Sequence, residues 1–270
     1  MRIKFTVFGA SGFIGRHLVK KLQDEGHEVF SPTRYELEYL CRNDKSDLGH
    51  VFYCIGMTAN FRKQPFETVD AHVSVLKNIL NTCGYQSLTY ISSTRLYHDS
   101  DDTTEKSAFK ISPSEKSDLY NISKLMGESL CLWLGKTVRI VRLSNVYGIH
   151  SSESFLNDVL TEAVRNGHVV FKTSENSAKD FISVYDVVDI LPKIAINGNH
   201  QIYNLASGKN TTNSQIANKL SDLGYTCSFK KNGPKWVFPE IDIARISREF
   251  NFHSSCLIDD LDLLTQNLNN

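Results

Sequence analysis

Val7 to Leu18, VFGASGFIGRHL, places Gly9, Gly12 and Gly15 three apart, directly after a β-rich run from Ile3 to Phe8. Glycine at a strand-to-helix turn admits backbone angles that a Cβ would obstruct, and it lets the chain approach a pyrophosphate closely. The helical spacing that follows, Phe13 to Gln23, offers phosphate the unpaired N–H groups and partial positive charge of a helix start. Glycines serving tight packing alone are the alternative, and their place after the first strand favours the phosphate reading. Gly9, Ser11, Gly12, Phe13, Ile14, Gly15 and Arg16 are therefore the expected dinucleotide-binding turn.

Outward from this turn the chain alternates strands and helices. Glu28 to Ser31 follows Gly26 as a second strand and completes a βαβ unit. His50 to Ile55, Ser87 to Ser92 and Thr137 to Leu143 read as further strands, with helices at Glu67 to Thr82 and Leu119 to Leu134. Their nearly continuous apolar runs fit strands covered on both faces, so an α/β fold with a doubly wound parallel sheet is expected, its ligands beyond the carboxyl ends of the strands. His98 to Asp118 reads as a solvated polar loop. After His150 the rhythm loosens: helices near Phe155 to Arg165, Val184 to Ala195, Ser214 to Leu223 and Ile258 to Leu268, with a short strand at Gln201 to Asn204, suggest a smaller C-terminal lobe. Residues 1–150 would form the dinucleotide domain and 151–270 mostly a substrate-binding lobe interleaved with the end of the sheet.

Thirty basic residues balance thirty acidic ones among 270, which leaves no electrostatic footprint for a nucleic-acid or polybasic membrane partner. The expected partner is a small molecule. Cys41, Cys54, Cys83, Cys131, Cys227 and Cys256 are scattered without a CxxC pair, and they read as reduced and buried, with no metal site. No leader-like or membrane-length apolar run is evident, which makes the cytoplasm the expected compartment.

The end of the second strand bears on which dinucleotide binds. An acidic residue there bonds a ribose 2′-hydroxyl, whereas Arg accommodates a 2′-phosphate. Here Thr33 and Arg34 follow, with no carboxylate at the tip, so Arg34 and Arg16 favour NADP (NADPH) over NAD.

Two segments carry candidate chemistry: YISSTRLY, Tyr90 to Tyr97, closes a strand, and LYNISKLMGE, Leu119 to Glu128, opens a helix. Tyr120 and Lys124 lie four apart and share a helix face. A nearby ammonium lowers a phenol's pKa, which would make Tyr120 a proton donor or acceptor for a carbonyl or alcohol. Ser93, from the strand end, can bond the same oxygen.

With these segments in order, the chain resembles the extended short-chain dehydrogenase/reductase family. RLSNVYG (Arg142 to Gly148) resembles that family's RxxNVYGP, and KDFISVYDVV (Lys179 to Val188) resembles its RDFIxVDDV. IYNLASG (Ile202 to Gly208) and IDIARISREFNF (Ile241 to Phe252) are similar to its YNIGSG and DxSRAxRELGF. The resemblance implies a Rossmann-type domain with a small lobe that holds a nucleotide-linked sugar. Ser93, Tyr120 and Lys124 would be the catalytic trio, and Tyr120 and Lys124 would also contact the cofactor. Ile55, Gly56, Leu143 and Val146 would flank the cofactor, and Thr94, Asn145 and Lys179 would face the substrate. Pairing of relatives implies a homodimer through the Glu67 to Thr82 and Leu119 to Leu134 helices.

Within that resemblance the residues after Ser93 choose among reactions. Dehydratases resemble STDEVYG there and the GDP-fucose synthase type SSCIYP, whereas this chain has Thr94 and Arg95. Neither the acidic pair nor the epimerising cysteine is present, and Thr33 argues against the 4-epimerase type with tightly bound NAD. The expectation is reduction by NADPH of the keto group, at C4, of a 4-keto-6-deoxy nucleotide sugar, with Tyr120 as proton donor. A 4-epimerase and a non-catalytic cofactor-sensing Rossmann protein are the alternatives. Ile149 replaces the motif's proline and Tyr185 its first aspartate, and Trp236 is a candidate for stacking on a nucleobase or for the core.

Overall fold

The computed structural model describes residues 2–43, 47–57, 60–149 and 154–269. Its first unit is β1 (Lys4–Phe8), α1 (Phe13–Asp24) and β2 (Glu28–Phe30). Next come α2 (Arg34–Asn43), β3 (His50–Tyr53), α3 (Pro65–Val69), a π-helical turn (Asp70–Ser74) and α4 (Val75–Thr82). β4 (Ser87–Ser93) runs into a 3₁₀ turn (Thr94–Tyr97), followed by α5 (Asp118–Trp133) and β5 (Val138–Leu143). These strands, with a later one, form a six-stranded parallel sheet ordered β2-β1-β3-β4-β5-β9, where β9 is Ile202–Leu205. That is the Rossmann-type doubly wound α/β sheet, its order reversing between β1 and β3.

The sheet exists because its strands are apolar on both faces. Phe5, Val7, Phe52, Leu88, Ile140 and Val141 have no exposed surface, and full burial of such a side chain contributes roughly 1.5–3 kcal/mol. One face packs against α1 and α7 (Val184–Asn197), with Leu18, Leu22, Val187, Leu191 and Ile194 in the core. On the other, Leu76, Ile79 and Cys131 of α4 and α5 meet Tyr53 and Tyr90.

The second half adds β6 (Asn145–Tyr147), α6 (Phe155–Asn166), β7 (His168–Phe171), β8 (Ala178–Ser183), β10 (Asn210–Thr212), α8 (Asn213–Asp222), β11 (Thr226–Phe229), α9 (Ala244–Phe250) and α10 (Leu257–Asn269). They make a three-stranded sheet, β10-β8-β6, and a β11-β7 pair around a separate core of Leu156, Leu160, Val169, Phe171, Ile216 and Leu261. α7 and β9 return from this half to the large sheet.

Three readings are corrected. The segment after Arg34, read without an element, forms α2. The cysteines, read as buried, differ in exposure: among the described residues Cys131 alone is fully buried, Cys54, Cys83 and Cys227 are partly buried, and Cys256 is exposed; Cys256 sits at the surface start of α10, where its carbonyl accepts from the Asp259 and Asp260 N–H groups. The Cys41 side chain lies outside the described residues. Between His98 and Asp118 the loop is anchored rather than freely solvated: Thr103 Oγ1 donates to the Glu240 carbonyl at 2.8 Å, Glu105 is buried, and Phe109 stacks on Arg142. Among the described residues no helix is long and apolar enough to cross a membrane, and no His, Cys, Asp and Glu cluster suits a metal ion.

Candidate active site

The carboxyl ends of β1, β3, β4 and β5 open into a cleft of about 520 Å³, walled on the far side by Phe155, Lys179 and Phe238 of the second half. In the turn that leads to the lining residues Gly12, Phe13 and Ile14, Gly9 adopts φ +82°, and a Cβ there would fall 2.8 Å from the Cys54 carbonyl carbon. A Cβ on Gly15 would collide with the Gly9 carbonyl oxygen. The turn is thus a cradle that side chains would fill, leading into the start of α1, and it fits a dinucleotide pyrophosphate. Gly12, Phe13, Ile14, Ile55, Gly56, Leu143 and Val146 all line the cleft, while Ser11 and Arg16 are exposed beside it.

Thr33 and Arg34 stand apart at the tip of β2, both exposed. The tip also holds a carboxylate, contrary to the sequence reading. Glu36 folds back and accepts from Thr33 N–H and Oγ1, both at 2.7 Å, while its own N–H donates to Thr33 Oγ1. This reciprocal cap satisfies the first turn of α2 and holds the Glu36 carboxyl below its usual pKa range.

Tyr120 and Lys124 project from α5 into the cleft beside Ser93 from the end of β4. Gly127 lets this helix approach, because a Cβ there would lie 2.9 Å from the His72 carbonyl oxygen and collide with Tyr90. Burial raises the Tyr120 pKa above its ordinary value, opposed by the hydrogen bond with Ser93 and by the Arg95 guanidinium. Arg95 is thus a cation acting on the phenol that the sequence reading, which pointed to Lys124, did not include. Arg95 lies over the rings of Phe61 and Tyr120, at 5.5 and 6.0 Å from their centroids. Lys124 instead donates to the Ile91 carbonyl at 2.8 Å, and burial pushes its ammonium down to about 7.

Asn145 and Lys179 line the cleft as well, and Thr94 is tied to it by donation to the Leu143 carbonyl at 3.3 Å. Asn145 Nδ2 donates to the Asp180 carbonyl at 2.8 Å, so its amide is fixed on β8. Lys179 Nζ sits 4.7 Å above the Phe155 ring with its pKa lowered by burial and by Arg95. Trp236 is half exposed, and Phe238 is the aromatic of its segment that lines the cleft. Tyr185 is exposed at the start of α7, and Ile149 packs on the second core.

Behind the cleft wall a buried ionic network joins the elements. Arg142 on β5 donates to both Glu128 oxygens, at 3.0 and 2.6 Å, and to the Tyr97 hydroxyl at 2.7 Å. Ser92 donates to Glu128 at 2.6 Å, and Tyr97 donates to Asn204 Oδ1 on β9 at 2.8 Å. Sequence reading missed Arg95, Phe61 and Met57 in the cleft, and buried His72 behind it. Arg95 was visible in STRLY only as a residue that is not a carboxylate or a thiol, and His72 reads as one polar position in a helical run.

A glycine cradle at the first strand–helix turn and a Tyr, Lys and Ser set at its far end define a dinucleotide-dependent enzyme of the extended short-chain dehydrogenase/reductase type. The model of the NAD dependent epimerase/dehydratase family matches residues 5–206, and the chain belongs to that family. It is 22% identical over 266 residues to UDP-glucuronic acid decarboxylase 1 of Arabidopsis thaliana, covering 86% of this chain and 61% of that protein, so the chain spans less than two thirds of that relative. It is 25% identical to a dTDP-4-dehydro-6-deoxy-D-allose reductase of Streptomyces sp, over 78% of each chain. Among solved structures, the NAD dependent NDP-hexosamine 5,6-dehydratase TunA, involved in tunicamycin biosynthesis, superposes with TM-score 0.82 at 20% identity, covering 98% and 97% of the two chains. RMD from Pseudomonas aeruginosa, complexed with NADPH, gives 0.79 at 21% identity, covering 99% and 100%.

Proposed function

We propose that the protein reduces the keto group of a nucleotide-linked sugar with NADPH, at C4 of a 4-keto-6-deoxy sugar. The observation that carries this is the convergence of Tyr120, Ser93 and Lys124 on one cleft whose described lining residues include no carboxylate. Elimination of water needs an acid and a base beyond the phenol, and among the described residues no such pair faces this cleft.

Bound in the cleft, the dinucleotide supplies the hydride that the carbonyl carbon accepts. Tyr120 donates its phenolic proton to the carbonyl oxygen as negative charge develops there. Ser93 steadies that oxygen with a hydrogen bond, and Arg95 stabilises the phenolate left behind. Lys124, its ammonium pushed down to about 7 by burial and held on the Ile91 carbonyl, lines the cleft beside Tyr120 and gains charge when an anionic ligand sits beside it. Gly9 to Gly15 hold the pyrophosphate, and Arg34 with Arg16 addresses the 2′-phosphate. Lys179 and Asn145 face the sugar diphosphate. The dTDP-sugar reductase among the relatives and the NADPH bound by RMD support the reading.

Incubation of the protein with a panel of keto nucleotide sugars and 4-deuterated NADPH, followed by mass spectrometry, tests it. Deuterium on one sugar carbon with stoichiometric NADP formation is expected. Purified protein that carries bound NAD and interconverts two 4-epimers without consuming NADPH would make it an epimerase instead.

A further inference from the structure

His72 lies in the π-helical turn between α3 and α4 with no exposed surface, among groups that belong to two different walls of the site. The Met57 backbone N–H donates to its Nε2 at 3.2 Å, and a backbone N–H can only donate. Nε2 is therefore unprotonated and the ring proton sits on Nδ1, which donates to Ser123 Oγ at 2.8 Å. Ser123 passes its own proton to the Tyr120 carbonyl at 2.9 Å, so the chain of donors runs in one direction. The same imidazole meets the Tyr120 ring edge-on, with centroids 5.1 Å apart and planes at 89°. One rigid ring thus touches the loop after β3, where Gly56 and Met57 line the cleft, and the first turn of α5, which carries the phenol.

We propose that His72 is a positioning residue that couples the seating of the dinucleotide against the Gly56–Met57 loop to the placement of the Tyr120 phenol. The ring does this as a neutral group: an imidazolium would have two donors, lose its bond from Met57 and place a second cation beside Lys124. Burial and Lys124 keep it uncharged. The turnover part of this proposal rests on Tyr120 acting as the proton donor, whereas the binding and tautomer parts do not.

The two arms of the ring are separable by side-chain length. In His72→Gln the amide oxygen reaches the place of Nε2 and still accepts from Met57, but the bond to Ser123 is lost. In His72→Asn the amide NH₂ takes the place of Nδ1 and still donates to Ser123, but Met57 N–H is left buried and unpaired. Fluorescence titration with NADPH is expected to show affinity falling about tenfold in His72→Asn and clearly less in His72→Gln, as for a buried donor without a partner. Turnover at saturating NADPH is expected to fall in the opposite order, with Ser123→Ala following His72→Gln. Long-range ¹H–¹⁵N spectra of the unsubstituted protein should show a neutral ring with its proton on Nδ1 from about pH 6 to 8.

Parallel loss of affinity and turnover in all three variants with a common drop in melting temperature would reduce His72 to packing and overturn the proposal, as would an Nε2–H or charged ring. Should the two His72 variants fail to fold, Ser123→Ala and the spectra decide. If the unsubstituted protein reduces no keto nucleotide sugar, the proposed function fails, and NADPH affinity and tautomer still uphold or overturn the role of His72.

Discussion

At the β4–α5 end of the cleft, Tyr120, Lys124, His72 and Ser123 are buried, and each polar group is bonded to another element of the fold. At the tip of β2, Thr33 and Arg34 are exposed, and the order they have comes from one reciprocal cap with Glu36. The contrast follows from what each end must do. Proton transfer tolerates little misplacement, so the groups that perform it are held by packing from several directions. Choice between two dinucleotides needs only a charge within reach of a phosphate, which a surface side chain supplies.

The sharpest test of the buried end is Tyr120→Phe, which removes the proton and little else. Turnover should fall by about 10²–10⁴-fold with NADPH affinity nearly intact; affinity lost in parallel, by fluorescence titration, would take the phenol out of the catalytic role. Next in size is Arg142→Met, which leaves Glu128 as a buried carboxylate without its guanidinium. It should cost about 3–5 kcal/mol, read from the urea midpoint at unchanged slope. A loss below about 1 kcal/mol would mean that the scaffold behind β4 is as loose as the tip of β2.

At the exposed end Arg34→Ala should weaken NADPH roughly tenfold and leave NADH unaffected, the loss of one charge-assisted contact. Equal effects on both dinucleotides would remove Arg34 from the 2′-phosphate. The smallest effect concerns Arg95→Gln. Reduction requires the protonated phenol, so activity is lost as pH rises through the Tyr120 pKa. Arg95 lowers that pKa, and its removal should move the alkaline limb of the kcat profile to higher pH. A limb that stays in place, or moves down, would assign the effect to Lys124.

The same contrast explains what could be read from the chain. β1, β3, β4 and β5 announce themselves because burial on both faces demands unbroken apolar runs, and the glycine cradle because backbone contact excludes any Cβ. α2 was passed over: RYELEYLCRN buries Leu37 and Leu40 as its described core contacts while Tyr35 and Tyr39 face solvent, so large apolar residues stand on both sides of the helix. β6 (NVY) and β10 (NTT) are only three residues long, too short to show a period, and are held by pairing with β8. In the site, Tyr120 and Lys124 were legible because one helix turn sets their spacing. His72 was not, since its partners Met57 and Ser123 lie 15 and 51 residues away and only the tertiary fold brings them together. Glu36 shows the converse, a residue three places from the tip whose backward fold local spacing alone could have revealed.

The route of the chain through β8, α7 and β9 has a consequence for synthesis and for engineering. β5 acquires its outer neighbour, and α1 the helix beside it, only after residues 184–205 have been made. A ribosome would therefore release the whole glycine cradle long before the sheet behind it could close, and the emerging half would wait, one edge bare, for its last strand. Exchanging the second lobe between homologous enzymes by one cut near residue 150 would sever that strand from its place. Two cuts, sparing α7 and β9, respect how the molecule is wound.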